Sequence, residues 1–82
     1  MNFPGVGIWI KRYRVRHLLS REAFAAKCGI STVTVHRLEA DPSLAASVDT
    51  RRKIASATGI EPEVMFDEIE ELAAQTTSEV MA

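Results

Sequence analysis

The sequence predicts an all-α domain of five helices, on three observations. Few stretches alternate apolar and polar residues with period two, as a half-buried strand does. Ala, Leu, Glu, Arg and Lys, the strong helix formers, dominate the chain. Short apolar stripes at helical spacing are separated by Ser, Gly and Pro at points where helices start and stop.

The first helix is expected from about Ile8 to Leu18, after Pro4-Gly5. Ile10, Tyr13 and His17 lie on one face, Trp9 flanks it, and Lys11, Arg12 and Arg16 fall largely outside. Ser20 caps the second helix by accepting a backbone N–H, and Phe24 and Cys28 at i, i+4 form its stripe. Gly29 ends it as the residue best suited to a left-handed cap. Ile30 re-enters the core, Ser31 caps again, and a third helix runs to about Ala40, before a loop Asp41-Pro42-Ser43. A fourth helix, capped by Asp49 or Thr50, runs to Ala57 with Ile54 and Ala57 inward, and Gly59 closes it. Pro62 fits the first position of a fifth helix, about 62–73. There Phe66, Ile69 and Leu72/Ala73 make one stripe, which Val64 and Met65 widen. From Gln75 a polar tail is expected, dividing the chain into a folded unit, 1–74, and a tail, 75–82.

A chain of 82 residues and 9.0 kDa, 46% apolar and 26% charged, has material for one small core. The single cysteine, Cys28, cannot form an internal disulfide, and with His17 and His36 it makes no zinc-ligand spacing, so no metal and no cofactor is expected. At helical spacing from Phe24, it reads as a core residue rather than a redox sensor. No window approaches the roughly 18 apolar residues of a membrane span, and the N-terminus lacks the layout of a secretion signal. A cytoplasmic location, nucleoid-associated in a prokaryote, is expected. No Ser/His/acid, Cys/His or phosphate-loop constellation points to an enzyme.

Charge divides the chain. Residues 1–53 hold all ten Lys and Arg against four acids, a net +6. Residues 54–82 hold seven acids and no base, a net −7. Such asymmetry suits a basic face that meets a polyanion and an acidic face turned from it or toward a protein partner; two solvated faces would look the same.

The densest information lies between Ser20 and Glu39, where a capped helix, one glycine, an apolar residue, a second cap and another short helix follow without a gap. That is helix-turn-helix spacing, in which the second helix is held out to lie in the DNA major groove. Ala25 is small where the two helices cross. Val35 and Leu38 at i, i+3 face inward, which leaves Thr32, Val33, His36 and Arg37 on the opposite arc, able to reach base edges. Arg51, Arg52 and Lys53 form a candidate phosphate clamp.

The run from Leu19 to Glu39 resembles the DNA-binding domain of the phage repressor and Cro family, also called the xenobiotic-response-element family, with its lambda-repressor-like fold. Matching features are Arg14, Leu19-Ser20, Ala25, Gly29-Ile30-Ser31, Thr34-Val35 and Leu38-Glu39, then Lys53-Ile54-Ala55, Gly59-Ile60 and Pro62. The similarity covers about residues 8–72. It implies that Arg14 pairs with Glu39, fixing the first helix to the recognition helix. It also implies phosphate contacts at the starts of the second and third helices, here Arg21, where the family commonly has Gln, and Ser31. Leu18 replaces a usual Gly, and Arg51 and Thr58 stand where Leu is usual. The segment Ser47 to Lys53 also looks like part of a lactose-repressor headpiece, but such headpieces lack the long first helix.

These readings make the chain a sequence-specific transcriptional regulator, expected to repress, that binds double-stranded DNA as a homodimer on an inverted repeat. The surface expected to hold the dimer, or a protein partner, is the wide stripe Val64, Met65, Ile69 and Leu72 on the fifth helix. A different class stays open beside it: a protein-interaction module of antitoxin or anti-repressor type, docking through that acidic helix. No membrane partner is expected.

Overall fold

Serine hydroxyls start three of the five helices in the computed structural model, which describes residues 5–41 and 43–81, with the side chains of 5–41, 43–72 and 74. The elements are α1 (Val6–His17), α2 (Arg21–Cys28), α3 (Thr32–Ala40), α4 (Val48–Thr58) and α5 (Pro62–Met81). The Oγ atoms of Ser20, Ser31 and Ser47 accept from the backbone N–H of Ala23, Thr34 and Thr50 at 3.0, 3.0 and 3.1 Å. Each satisfies a donor that the first turn leaves without an intrahelical partner.

The cap of α4 corrects one expectation. Ser47 takes that role in place of Asp49 or Thr50, so the helix begins at Val48. Asp49 then falls in the first turn, where the helix dipole favours an acid, and pairs with Lys53 one turn on at 3.3 Å. At the other end Thr58 bonds locally: its Oγ1 donates to the Ile54 carbonyl at 2.8 Å and accepts from Ile60 N–H at 3.3 Å. A hydroxyl where Leu is usual thus ties the end of α4 to the chain leading into α5.

α1 begins earlier than the apolar spacing suggests, and its buried face runs Val6, Gly7, Trp9 and Ile10. Tyr13 is half-buried, and His17, expected inward, is exposed with its ring 4.2 Å from that of Tyr13. The reason is Gly7. A Cβ there would stand 1.8 Å from the Leu38 carbonyl oxygen, so only glycine lets α1 lie directly on the backbone of α3. Gly7, not singled out in the sequence, is thus a point of close contact between the two helices.

The core draws on all five helices: Val6, Trp9 and Ile10 from α1, Phe24, Ala25 and Cys28 from α2, Val35 and Leu38 from α3, Ile54 from α4, Met65 and Ile69 from α5, with Ala46 from the preceding loop. Met65 and Ile69 were expected on a partner surface; both are buried in the protein's own core. Leu72 packs partly against it, and Val64 is exposed. The stripe is wide because α5 packs against both α1 and α4. α5 also continues past the expected end near residue 73 to Met81, since no Gly or Pro interrupts Gln75 to Met81. Pro42, Ala73 as a packing residue and the side chains of 75–82 lie outside the described residues.

Candidate nucleic-acid interface

Three residues, Gly29, Ile30 and Ser31, join α2 to α3. Gly29 turns the chain with φ +70°, and the N–H of Ile30 returns to the Ala25 carbonyl at 3.0 Å while that of Gly29 bonds Ala26 at 3.3 Å. This closes α2 in the pattern of a glycine cap. Ile30 packs against the core between the two helices. Ala25, buried where α2 meets α3, allows the close crossing.

With Val35 and Leu38 buried, Thr32, Val33, His36 and Arg37 stand exposed on the opposite arc of α3. Val33 is 66% exposed, and other single aliphatic side chains of the chain, such as Val15 and Val48, are exposed as well. A shallow depression lies between the starts of α2 and α3, lined by Arg14, Ser20, Arg21, Glu22, Thr32, Val33 and His36. It brings expected base and phosphate residues onto one surface. Arg37 is exposed on the same helix but does not line the depression, nor do Arg51, Arg52 and Lys53 on α4. Of those three, Arg51 is partly buried, and Arg52 and Lys53 are exposed. Glu22 was not singled out in the sequence; its place in the second position of α2, one residue past Arg21, was the available signal.

The presenting helix is clamped from below. Arg14 Nε donates to Glu39 Oε2 and Arg14 Nη2 to Glu39 Oε1, both at 2.7 Å, and Arg14 Nη1 donates to the Leu19 carbonyl at 3.0 Å. Arg21 Nε approaches Glu39 Oε1 at 3.4 Å from the exposed side. Burial works against ionising Glu39, yet the hydrogen bonds and charge of Arg14, with a lesser share from Arg21, outweigh it and hold the carboxyl below its ordinary range. Ser31 is fully engaged: its Oγ caps α3 and also bonds Thr34 Oγ1 at 2.8 Å. Burial raises the pKa of Cys28, as suits a core thiol rather than a reactive one.

Comparison with protein families settles the class. A family model described as helix-turn-helix, of the Cro/C1 type, matches residues 10–65, more than half of the chain and the whole of α2 to α4. The chain belongs to this helix-turn-helix family. No curated protein and no solved structure matches it significantly. As a helix-turn-helix domain it is a DNA-binding module of transcription-regulator type, and α3 is the second helix of its motif. No described helix of this helix-turn-helix domain is long and apolar enough to cross a membrane. Among the described residues no group of three His, Cys, Asp or Glu is placed to hold a metal ion.

Proposed function

We propose that the chain is a sequence-specific transcriptional repressor that binds an inverted-repeat operator as a homodimer in the cytoplasm. Each subunit lays α3 in the major groove, the two about one helical turn apart. The observation that carries this reading is the exposed arc Thr32, Val33, His36 and Arg37 on a helix whose opposite side is buried and whose end is clamped by Arg14. Arg37 carries the planar donor fork that suits a bidentate contact to guanine O6 and N7, Val33 an apolar surface that suits a thymine methyl, and Thr32 and His36 polar groups that suit hydrogen bonds to base edges. Arg21 and the N-terminus of α3 at Ser31 serve backbone phosphates, with Arg52, Lys53 and Arg51 as a second group on α4. Repression follows from occluding the polymerase.

Selection of bound duplexes from a random library, at near-physiological and at raised salt, tests this reading. Enrichment of one short palindrome at both salts supports it, because base readout survives conditions that weaken phosphate attraction. Weak binding that fades with salt and enriches nothing overturns it, and leaves a protein-docking role for the acidic α5.

A further inference from the structure

A cleft of about 200 Å³ lies between α1 and α5, and none of its lining residues is shared with the depression between α2 and α3. Its α1 wall carries a row of rings at i, i+4 and i+8. Trp9 and Tyr13 are stacked with centroids 5.4 Å apart, and Tyr13 also meets His17 at 4.2 Å and Phe24 at 5.8 Å. Neighbours on several sides therefore hold the Tyr13 ring in place, so this wall is preformed. Beside the rings, Arg12 and Arg16 stand one turn apart and line the same cleft. The α5 wall supplies Glu68 and Glu71, also one turn apart, and Leu72, with Ile60 from the turn between α4 and α5. The indole N–H of the buried Trp9 donates to Glu68 Oε2 and ties the two walls together. The side chains of Arg12, Arg16 and Glu71 make no hydrogen bond or ion pair among the described residues, and Glu68 spends one oxygen on Trp9. Two cations on one wall and two anions on the other thus border one space without bridging it.

We propose that this cleft binds a free α-amino acid with an apolar side chain. The α-carboxylate goes to Arg12 and Arg16, and the α-ammonium to Glu71 and the second oxygen of Glu68. The side chain lies on the rings of Tyr13 and His17, against Ile60 and Leu72. A ligand of one charge does not suit both walls. An anion taken up by the arginines stands against the glutamates, and a cation held by the glutamates stands against the arginines, whereas a zwitterion satisfies both. Size agrees with this class. At roughly 30 Å³ for each water the cleft holds the space of about seven waters, on the scale of leucine or phenylalanine. Ligands of drug size, which take roughly 300 Å³ or more, exceed it. The site stands apart from the exposed arc of α3, so it does not rest on the DNA reading.

The test uses the full chain, with L-leucine, L-isoleucine, L-methionine and L-phenylalanine as probes, each titrated to about 10 mM because ligands this small bind weakly. Backbone amide NMR shifts and the thermal midpoint are followed. At least one probe moves the amide signals around Tyr13 and Glu71 in a saturable way and raises Tm with its concentration. The same side chain on an amine without the carboxylate, or on a carboxylic acid without the ammonium, binds about tenfold or more weakly. Two variants, Arg12→Gln with Arg16→Gln and, separately, Glu71→Gln, lose binding by a similar factor. All three positions are exposed, and circular dichroism checks that helix content is kept. If the double variant does not fold, Glu71→Gln and the two single-charge analogues decide. No saturable shift with any of the four probes, analogues of one charge that bind as well as the amino acid, or variants that bind unchanged would each overturn the proposal.

Discussion

Arg14 and Glu39 are joined by two parallel hydrogen bonds of 2.7 Å across 25 positions of sequence, with the Glu39 side chain only 3% exposed. The pair fastens α1 to the last turn of α3, and the third bond of Arg14, to the Leu19 carbonyl, holds the start of the segment leading into α2. Removing one partner leaves a buried charge unsatisfied. Arg14→Met is expected to cost about 3 kcal/mol, whereas Arg14→Met with Glu39→Leu lies within about 1 kcal/mol of the natural chain. Urea unfolding of the four chains of this cycle measures both.

The same pair sets an acid limit. Glu39 titrates lower in the folded chain than its ordinary value of 4.5. Its contribution is therefore fully present above that value and is lost as pH falls through the depressed folded value. Unfolding midpoints taken from neutral pH down into the acid range should fall more steeply below about 4.5 for the natural chain than for the double variant; parallel curves would contradict this.

Gly7→Ala places a methyl group 1.8 Å from the Leu38 carbonyl oxygen, against backbone that has no rotamer to yield. We expect a loss of about 3 kcal/mol or more, enough to abolish folding in a domain this small. Thermal unfolding followed at the helical circular dichroism band reads it. A Tm within a few degrees of the natural chain would show that α1 and α3 separate easily.

Leu18 ends α1 in the left-handed conformation, φ 55°, its backbone N–H capping the helix while its side chain is 92% exposed. Leu18→Gly should stabilise the chain by about 1 kcal/mol and leave DNA affinity unchanged. The urea midpoint gives the first and a binding titration the second.

Arg37→Ala is expected to weaken specific binding by about 1–3 kcal/mol and to relax preference at one base position per half-site, while Arg52→Ala weakens binding to all sequences alike and lowers the salt slope by about 1. Repeating duplex selection with Arg37→Ala reads the first, and binding titrations of Arg52→Ala over a salt series read the second. Unchanged preference with Arg37→Ala would remove that residue from readout.

The fold was legible in the sequence wherever one residue carries one local signal. Ser20, Ser31, Gly29, Gly59 and Pro62 each mark a boundary that the structure places as expected, and Val35 and Leu38 divide α3 into its two sides. Legibility failed where the outcome depended on a distant partner. Gly7 carries no local signal of its role, which comes from the backbone of α3 packed against it. Ser47, Asp49 and Thr50 are all competent cap types by chemistry, so residue type did not choose among them, and the structure uses Ser47. Met65 and Ile69 show the width of a stripe but not whether it is filled by the same chain or by another. The Arg14–Glu39 pair was reached through family resemblance, since 25 positions of separation leave no periodic trace.

The central claim, that the exposed arc of α3 reads bases in the major groove, is tested most directly by methylation interference at guanine N7 on a duplex that the protein selects. N7 lies in the major groove, so prior methylation should block binding at guanines in two half-sites about one helical turn apart, and with Arg37→Ala the block should weaken at one guanine in each. Binding indifferent to N7 methylation throughout the selected site would contradict the account and place α3 outside the groove.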